Sequence, residues 1–181
     1  MRLFIGIPLA GEVLAEIATQ VAELQRGGEN LRWSAPETWH ITLQFLGDAD
    51  GGQLQRLKAS LAELHSPPPP IRLGALGTFE RAGVLFVGVD ARPELAALQQ
   101  QVVAATATCG FVPEERPFHP HITLARAKGR RKFRGLPAPR SLRENPPGFT
   151  PFEAREFLLY ESFPGEDGSR YEVRARFPLA I

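Results

Sequence analysis

Cysteine is nearly absent from this sequence, with Cys109 alone among 181 residues. One thiol cannot close an internal disulfide, which points to a reducing compartment and leaves stability to an apolar core. Long apolar runs are missing as well, and nothing approaches the ~20 residues of a membrane span. The stretch Leu3–Ala10 is broken by Gly6 and Pro8, lacks a clear cleavage site and leads straight into an amphipathic helix. It reads as a buried strand rather than a signal core. A surplus of charge is also lacking, since 21 Lys+Arg face 20 Asp+Glu for a net +1. With 43% hydrophobic residues, that balance excludes a disordered chain. A single domain over 1–181 is therefore expected, compact or in two closely packed lobes, and cytoplasmic.

The apolar spacing predicts an α+β order. Leu3–Ile7 reads as a strand, and Leu14, Ile17, Val21 and Leu24 mark one helix face over Gly11–Gln25, ended by Gly27-Gly28. Leu31–Ser34 and His40–Leu46 are strand-like. Leu54, Leu57, Leu61 and Leu64 mark a second helix, stopped by the run Pro67–Pro70. Strands follow at Ile71–Phe79 and Val84–Val89. A third helix begins at Pro93 with Leu95, Leu98 and Val102 inward, and ends near Gly110. Ile122–Ala125 is another strand, and Phe157–Tyr160 with Tyr171–Phe177 reads as a closing hairpin. The Pro-, Gly- and Arg-rich stretch Lys128–Thr150 reads as a long surface loop.

His40-Ile41-Thr42-Leu43 recurs letter for letter as His121-Ile122-Thr123-Leu124, 81 positions later. That spacing is close to half the chain and suggests a duplicated lobe. In an extended strand, alternate side chains share a face, so each copy offers an imidazole and a hydroxyl to one side and two apolar anchors to the other. Two facing imidazoles suit paired proton transfer, because histidine exists in both forms near neutrality. The threonine hydroxyls can donate hydrogen bonds to oxyanions such as the non-bridging oxygens of a phosphodiester. A lone His-x-Thr is commonly structural, but two copies use two of only four histidines. His40, His119 and His121 could also supply metal ligands. The Cys spacing and His-Glu helix pattern of zinc sites are missing, so no metal is expected.

Phe45 and Arg126 each lie five residues after their histidine. A ring and a guanidinium plane both stack on unpaired bases, and the pair is expected to flank a terminal nucleobase, the alternative being Phe45 in the core and Arg126 as a surface charge or phosphate ligand. The odd offset would turn them to the opposite face, so this reading requires a bulge or strand end in between. His119 is expected at the cleft edge or in support, and His65 at the surface. Trp33 and Trp39 are read as packing residues, and Cys109 as buried.

The paired His-x-Thr-x motifs resemble the signature of the two-histidine (2H) phosphoesterases. Similarity to the RNA 2′,3′-cyclic phosphodiesterase branch, also known as 2′–5′ RNA ligase, extends along nearly the whole chain. It is carried by Leu3-Phe4-Ile5-Gly6-Ile7-Pro8-Leu9, by Trp39 through Gly47, by His119 through Arg126, and by Leu159-Tyr160-Glu161-Ser162 through Val173. The resemblance implies a bilobal duplicated fold, with two antiparallel sheets lining a central cleft and helices outside. It also implies hydrolysis of RNA 2′,3′-cyclic phosphate ends to 2′-phosphomonoesters, without metal or other cofactor, with reversible 2′–5′ ligation in some members. Carried over by motif, His40 would protonate the departing 3′ oxygen, His121 would activate water, and Thr42 and Thr123 would hold phosphate oxygens. Alternatives are a phosphodiesterase acting on another small cyclic nucleotide and a non-catalytic RNA-binding module of the same fold.

The charge distribution points toward the same partners. Between Arg116 and Arg143 there is no Asp or Glu, and nine of the 21 basic residues fall there. Arg130 and Arg131 are expected to meet the RNA backbone, drawing a polyanion to the second motif. RNA 3′ ends or small cyclic nucleotides are the expected partners, with no membrane and no obligatory protein partner, and the chain is expected to be a monomer.

Overall fold

The computed structural model describes residues 1–26, 31–128, 148–165 and 168–180. Strand β1 (Arg2–Pro8) carries the buried run Leu3–Ile7. It is followed by α1 (Gly11–Gln25), whose buried side is Val13, Ile17, Val21 and Leu24. The glycines 27 and 28, expected to end that helix, lie outside the described residues. The short β2 (Leu31–Trp33) leads to a 3₁₀ turn at Pro36–Thr38 and to β3 (His40–Asp48), which opens on the first motif histidine. Helix α2 (Gly51–Ala62) starts at a capping box, with Asp50 and Gln53 each accepting the other's backbone N–H.

The expected strand Ile71–Phe79 is divided in two, as β4 (Pro70–Ile71) and β5 (Leu73–Phe79). The break falls at Arg72, which is exposed and whose carbonyl accepts from Asp90 N–H instead of a ladder partner. Strand β6 (Val84–Val89), α3 (Pro93–Ala107) and β7 (His121–Ala127) follow, and β7 opens on the second motif histidine. A two-residue β8 (Phe152–Glu153) pairs with β4, and a long hairpin of β9 (Glu156–Gly165) and β10 (Gly168–Pro178) closes the chain. Most of Lys128–Thr150, with Arg130 and Arg131, lies outside the described residues.

The strands form two four-stranded antiparallel sheets, ordered β10-β9-β1-β3 and β2-β7-β6-β5. Each has the same centre: a strand, a helix, then an antiparallel partner whose first residue is a motif histidine (β1-α1-β3 and β6-α3-β7). The sheets are not consecutive halves of the chain. β2, which precedes the first motif, pairs with β7 of the second sheet, and the C-terminal hairpin completes the first. Ile41 and Leu43 enter one continuous core with Ile122 and Leu124, joined by Leu98 and Val102 of α3 and Leu57 and Leu61 of α2. Trp39 and Cys109 are buried and His65 exposed, as expected.

The shared core predicts that Leu98→Ala, at a fully buried position on α3, costs about 2–5 kcal/mol. Thermal unfolding should then fall by roughly 5–15 °C for a chain of this size. A shift below about 2 °C in calorimetry would mean that this position does not anchor the core.

Candidate active site

The two motif strands have the same exposure sequence from the histidine on: half-buried, buried, half-buried, buried, buried, exposed. The two successive buried positions mark a bulge. In the first sheet Gly6 pairs with Thr42 and Ile5 with Gln44, so Leu43 is passed over. In the second, Phe86 pairs with Thr123 and Leu85 with Ala125, so Leu124 is passed over. One extra residue in each strand restores the parity. Phe45 and Arg126 therefore emerge on the same side as the histidines and threonines, and both are exposed.

All six side chains line a single cavity of about 380 Å³: His40, Thr42, Phe45, His121, Thr123 and Arg126. Its other walls include Arg32 and Trp33 of β2 and Arg170 and Tyr171 of β10. A larger cavity of about 990 Å³ adjoins it, sharing Thr42, Phe45 and His121 and adding His119, Phe79 and Phe118. His119, expected at the cleft edge or in support, lines this larger cavity. Arg32, Arg170 and Tyr171 were not foreseen. Arg32 carried a signal only in retrospect, because it pairs directly with Arg126 across β2 and β7.

Both imidazoles are oriented by the same local contact. His40 Nδ1 donates to the carbonyl of Thr38 at 2.6 Å, and His121 Nδ1 donates to the carbonyl of His119 at 2.7 Å. A carbonyl can only accept, so Nδ1 carries a proton in each ring and Nε2 is left as the titrating nitrogen. Nε2 of His40 lies 3.0 Å from Thr42 Oγ1. With the ring neutral, the hydroxyl donates to Nε2; with the ring protonated, the direction reverses. Gly6 permits this packing: a Cβ there would stand 3.0 Å from the Ile41 carbonyl and 3.1 Å from the His40 ring.

The two rings differ in surroundings. His40 is enclosed by aromatic groups, with Phe4 at 4.7 Å, Tyr171 edge-on at 5.3 Å and Tyr160 at 5.8 Å between centroids. Burial among them lowers its pKa to about 4, against the Thr38 carbonyl, which favours the charged ring, and with a smaller push from His121. The same burial pushes the Tyr160 phenol up to about 12. His121 packs against Phe79 at 4.9 Å and Phe86 at 5.4 Å. Its pKa is lowered first by burial and then by the nearby His119 and Arg126, while the His119 carbonyl opposes the shift. Two Nε2 atoms, two hydroxyls and a guanidinium around one cavity can bind an anionic diester and move a proton on and off it. Among the described residues no group of three His, Cys, Asp or Glu is placed to hold a metal ion.

The chain matches known proteins along nearly its full length. A family profile described as the 2′-5′ RNA ligase superfamily covers residues 13–162. An RNA 2′,3′-cyclic phosphodiesterase of Geobacillus stearothermophilus is 35% identical across 97% of this chain, which spans 56% of that relative's length. An RNA 2′,3′-cyclic phosphodiesterase of Bacillus subtilis is 37% identical, over 68% of this chain and 69% of that protein. The crystal structure of Escherichia coli LigT in apo form superposes with a TM-score of 0.84 at 29% identity, covering 99% of this chain and 98% of that one. LigT has also been solved in complex with 3′-AMP. Matched in sequence over both motifs and in fold over both sheets, this chain belongs to the 2′-5′ RNA ligase superfamily, among the two-histidine phosphoesterases.

Proposed function

We propose that this protein hydrolyses the 2′,3′-cyclic phosphate at RNA 3′ ends to a 2′-phosphomonoester, by acid–base catalysis shared between His40 and His121. The observation that carries this reading is the matched pair of imidazoles. Each is clamped through Nδ1 to the carbonyl two residues before it, and both line one cavity with Thr42 and Thr123. The Geobacillus and Bacillus relatives, both RNA 2′,3′-cyclic phosphodiesterases, support the same substrate class.

In this mechanism the cyclic phosphate lies between the rings, with its non-bridging oxygens on the two threonine hydroxyls. Nε2 of His121 takes a proton from water as the water oxygen bonds to phosphorus. The bond from phosphorus to O3′ breaks, and O3′ receives the proton from Nε2 of His40. Each turnover leaves His121 protonated and His40 neutral, and solvent exchange resets the pair. Burial makes protonated His40 a strong acid, which suits protonation of a departing alkoxide. The anionic phosphate favours the charged ring when substrate is bound.

Phe45 and Arg126 are proposed to flank the terminal base, an assignment supported by their exposure on the cavity wall. Arg130 and Arg131 are proposed to meet the RNA backbone, on the strength of the acid-free sequence around them. The larger cavity on the His121 side favours a second reaction. An RNA 5′-hydroxyl in place of water would form a 2′–5′ linkage. A cytoplasmic monomer is part of the proposal. No helix among the described residues is long and apolar enough to cross a membrane.

The test is incubation with an RNA ending in a 2′,3′-cyclic phosphate, with EDTA present to remove divalent metal. A 2′-phosphate product is expected, whereas a 3′-phosphate or no hydrolysis rejects the reading. His40→Ala and His121→Ala should each lower kcat by about 10²–10⁴-fold. A rate within threefold of the parent in either variant rules out the paired mechanism.

The pH dependence follows from the lowered values. The reaction needs one proton across the two histidines, and both titrate below 6.5 in the free protein, His40 at about 4. The doubly protonated pair at low pH lacks the base and the fully neutral pair at high pH lacks the acid, so activity follows the singly protonated pair. A bell-shaped kcat/KM with its maximum between about 4 and 6.5 is expected. A kcat/KM that still climbs at pH 8 contradicts this assignment.

A further inference from the structure

The bulges of β3 and β7 turn different residues inward. In β7 the inward residue is Ala125 and the next, outward one is Arg126. Without a bulge the charged guanidinium would enter the core, so hydrophobicity alone selects the bulged register there. In β3 the preference is reversed. Gln44 is 5% exposed and Phe45 is 57% exposed. A regular strand would exchange them, burying the ring and freeing the amide, which is the arrangement that transfer energies favour.

Something must therefore hold Gln44 in, and the structure places Thr106 there. Thr106, in the last turn of α3, is fully buried, and its Oγ1 lies 2.7 Å from Gln44 Oε1 and 3.0 Å from the Val103 carbonyl. One hydroxyl proton cannot serve two acceptors at full strength, and Gln44 Nε2 has no partner in that orientation. Turning the amide by 180° lets Nε2 donate to Thr106 Oγ1 while the hydroxyl donates to Val103. In either orientation Thr106 is the side-chain partner of the buried amide.

We propose that Thr106 is a positioning residue: by holding Gln44 in the core it preserves the β3 bulge and keeps Phe45 on the cavity wall. Thr106, which lines neither of the two cavities described above, thereby acts on recognition of the terminal base through Gln44 and Phe45. The proposal rests on the stacking role given to Phe45 above.

The experiment compares kcat/KM for adenosine 2′,3′-cyclic phosphate with that for a base-less analogue, 1,4-anhydroribitol 2,3-cyclic phosphate. Thr106→Val, close in shape but without the hydroxyl, should lower the ratio between the two substrates by about tenfold. That is within the range that losing one base–aromatic stack costs. The change should appear mainly in KM for the adenosine substrate. Thr106→Ser should restore the ratio, and so should adding Gln44→Met to Thr106→Val, because an apolar side chain needs no partner in the core. Should Thr106→Val not fold, Thr106→Ala serves in its place.

Phe45→Ala separates the two levels of the argument. It should lower the same ratio, and Thr106→Val added to it should lower the ratio no further. If Phe45→Ala lowers the ratio while Thr106→Val lowers both substrates equally, the latch is overturned and the stacking role stands. If Phe45→Ala leaves the ratio unchanged, the stacking role is overturned, and the latch falls with it.

Discussion

The extra residue that directly follows His-x-Thr in each motif strand governs what faces the cavity. Strand side chains alternate, so a regular strand carrying His-x-Thr would send the residue five places after the histidine into the core. The bulge at Leu43 in one strand and at Leu124 in the other reverses the parity at that point. Before the bulge the strand presents an imidazole and a hydroxyl; after it, the strand presents a ring or a guanidinium. The histidines, the threonines, Phe45 and Arg126 thus share one face, the one on which the proposed chemistry and base recognition rest, while two successive residues are surrendered to the core. The stability of the site depends on those inward residues, and Gln44, unlike Ala125, needs a hydrogen-bond partner to stay there.

The two halves of the cavity match in backbone and differ in electrostatics. Both histidines are clamped through Nδ1 to the carbonyl two residues earlier, so both expose the same nitrogen to titration. Around His40 the first sheet gathers Phe4, Tyr160 and Tyr171, a surrounding that stabilises the neutral ring. Around His121 the second sheet places Phe79 and Phe86, with His119 and the Arg126 guanidinium nearby disfavouring its charged form. The duplicated backbone thus holds two imidazoles with the same nitrogen free, in unequal surroundings that disfavour the charged ring on both sides and most strongly at His40.

Several elements were legible because their signals are local. The apolar stripe of α1 and α3, the Pro93 start of α3 and the run of β1 each follow from spacing within about fifteen residues. The identical tetrapeptides announced two strands with matched faces, and the need for a bulge followed from the odd offset of Phe45 and Arg126. Other features depend on distant partners. The pairing of β2 with β7 joins residues about 95 positions apart, and β4 with β8 about 80 apart, with short strands that carry little pattern of their own. Arg32 reaches the cavity through β2–β7, and Arg170 and Tyr171 through the pairing of β9 with β1, about 155 positions apart, which sets the closing hairpin beside the first motif strand.

The sequence alone determined the reactive groups and their spacing: two histidines, two threonines, and a ring and a guanidinium at equal offsets. These follow from covalent order and strand periodicity. Tertiary structure decided which groups meet in one cavity, how far burial displaces each histidine from its ordinary pKa, and which strands complete each sheet. Desolvation and strand pairing are set by residues far away in the chain. The same holds for Gln44, whose inward turn is stable because Thr106, 62 residues further on, is placed beside it.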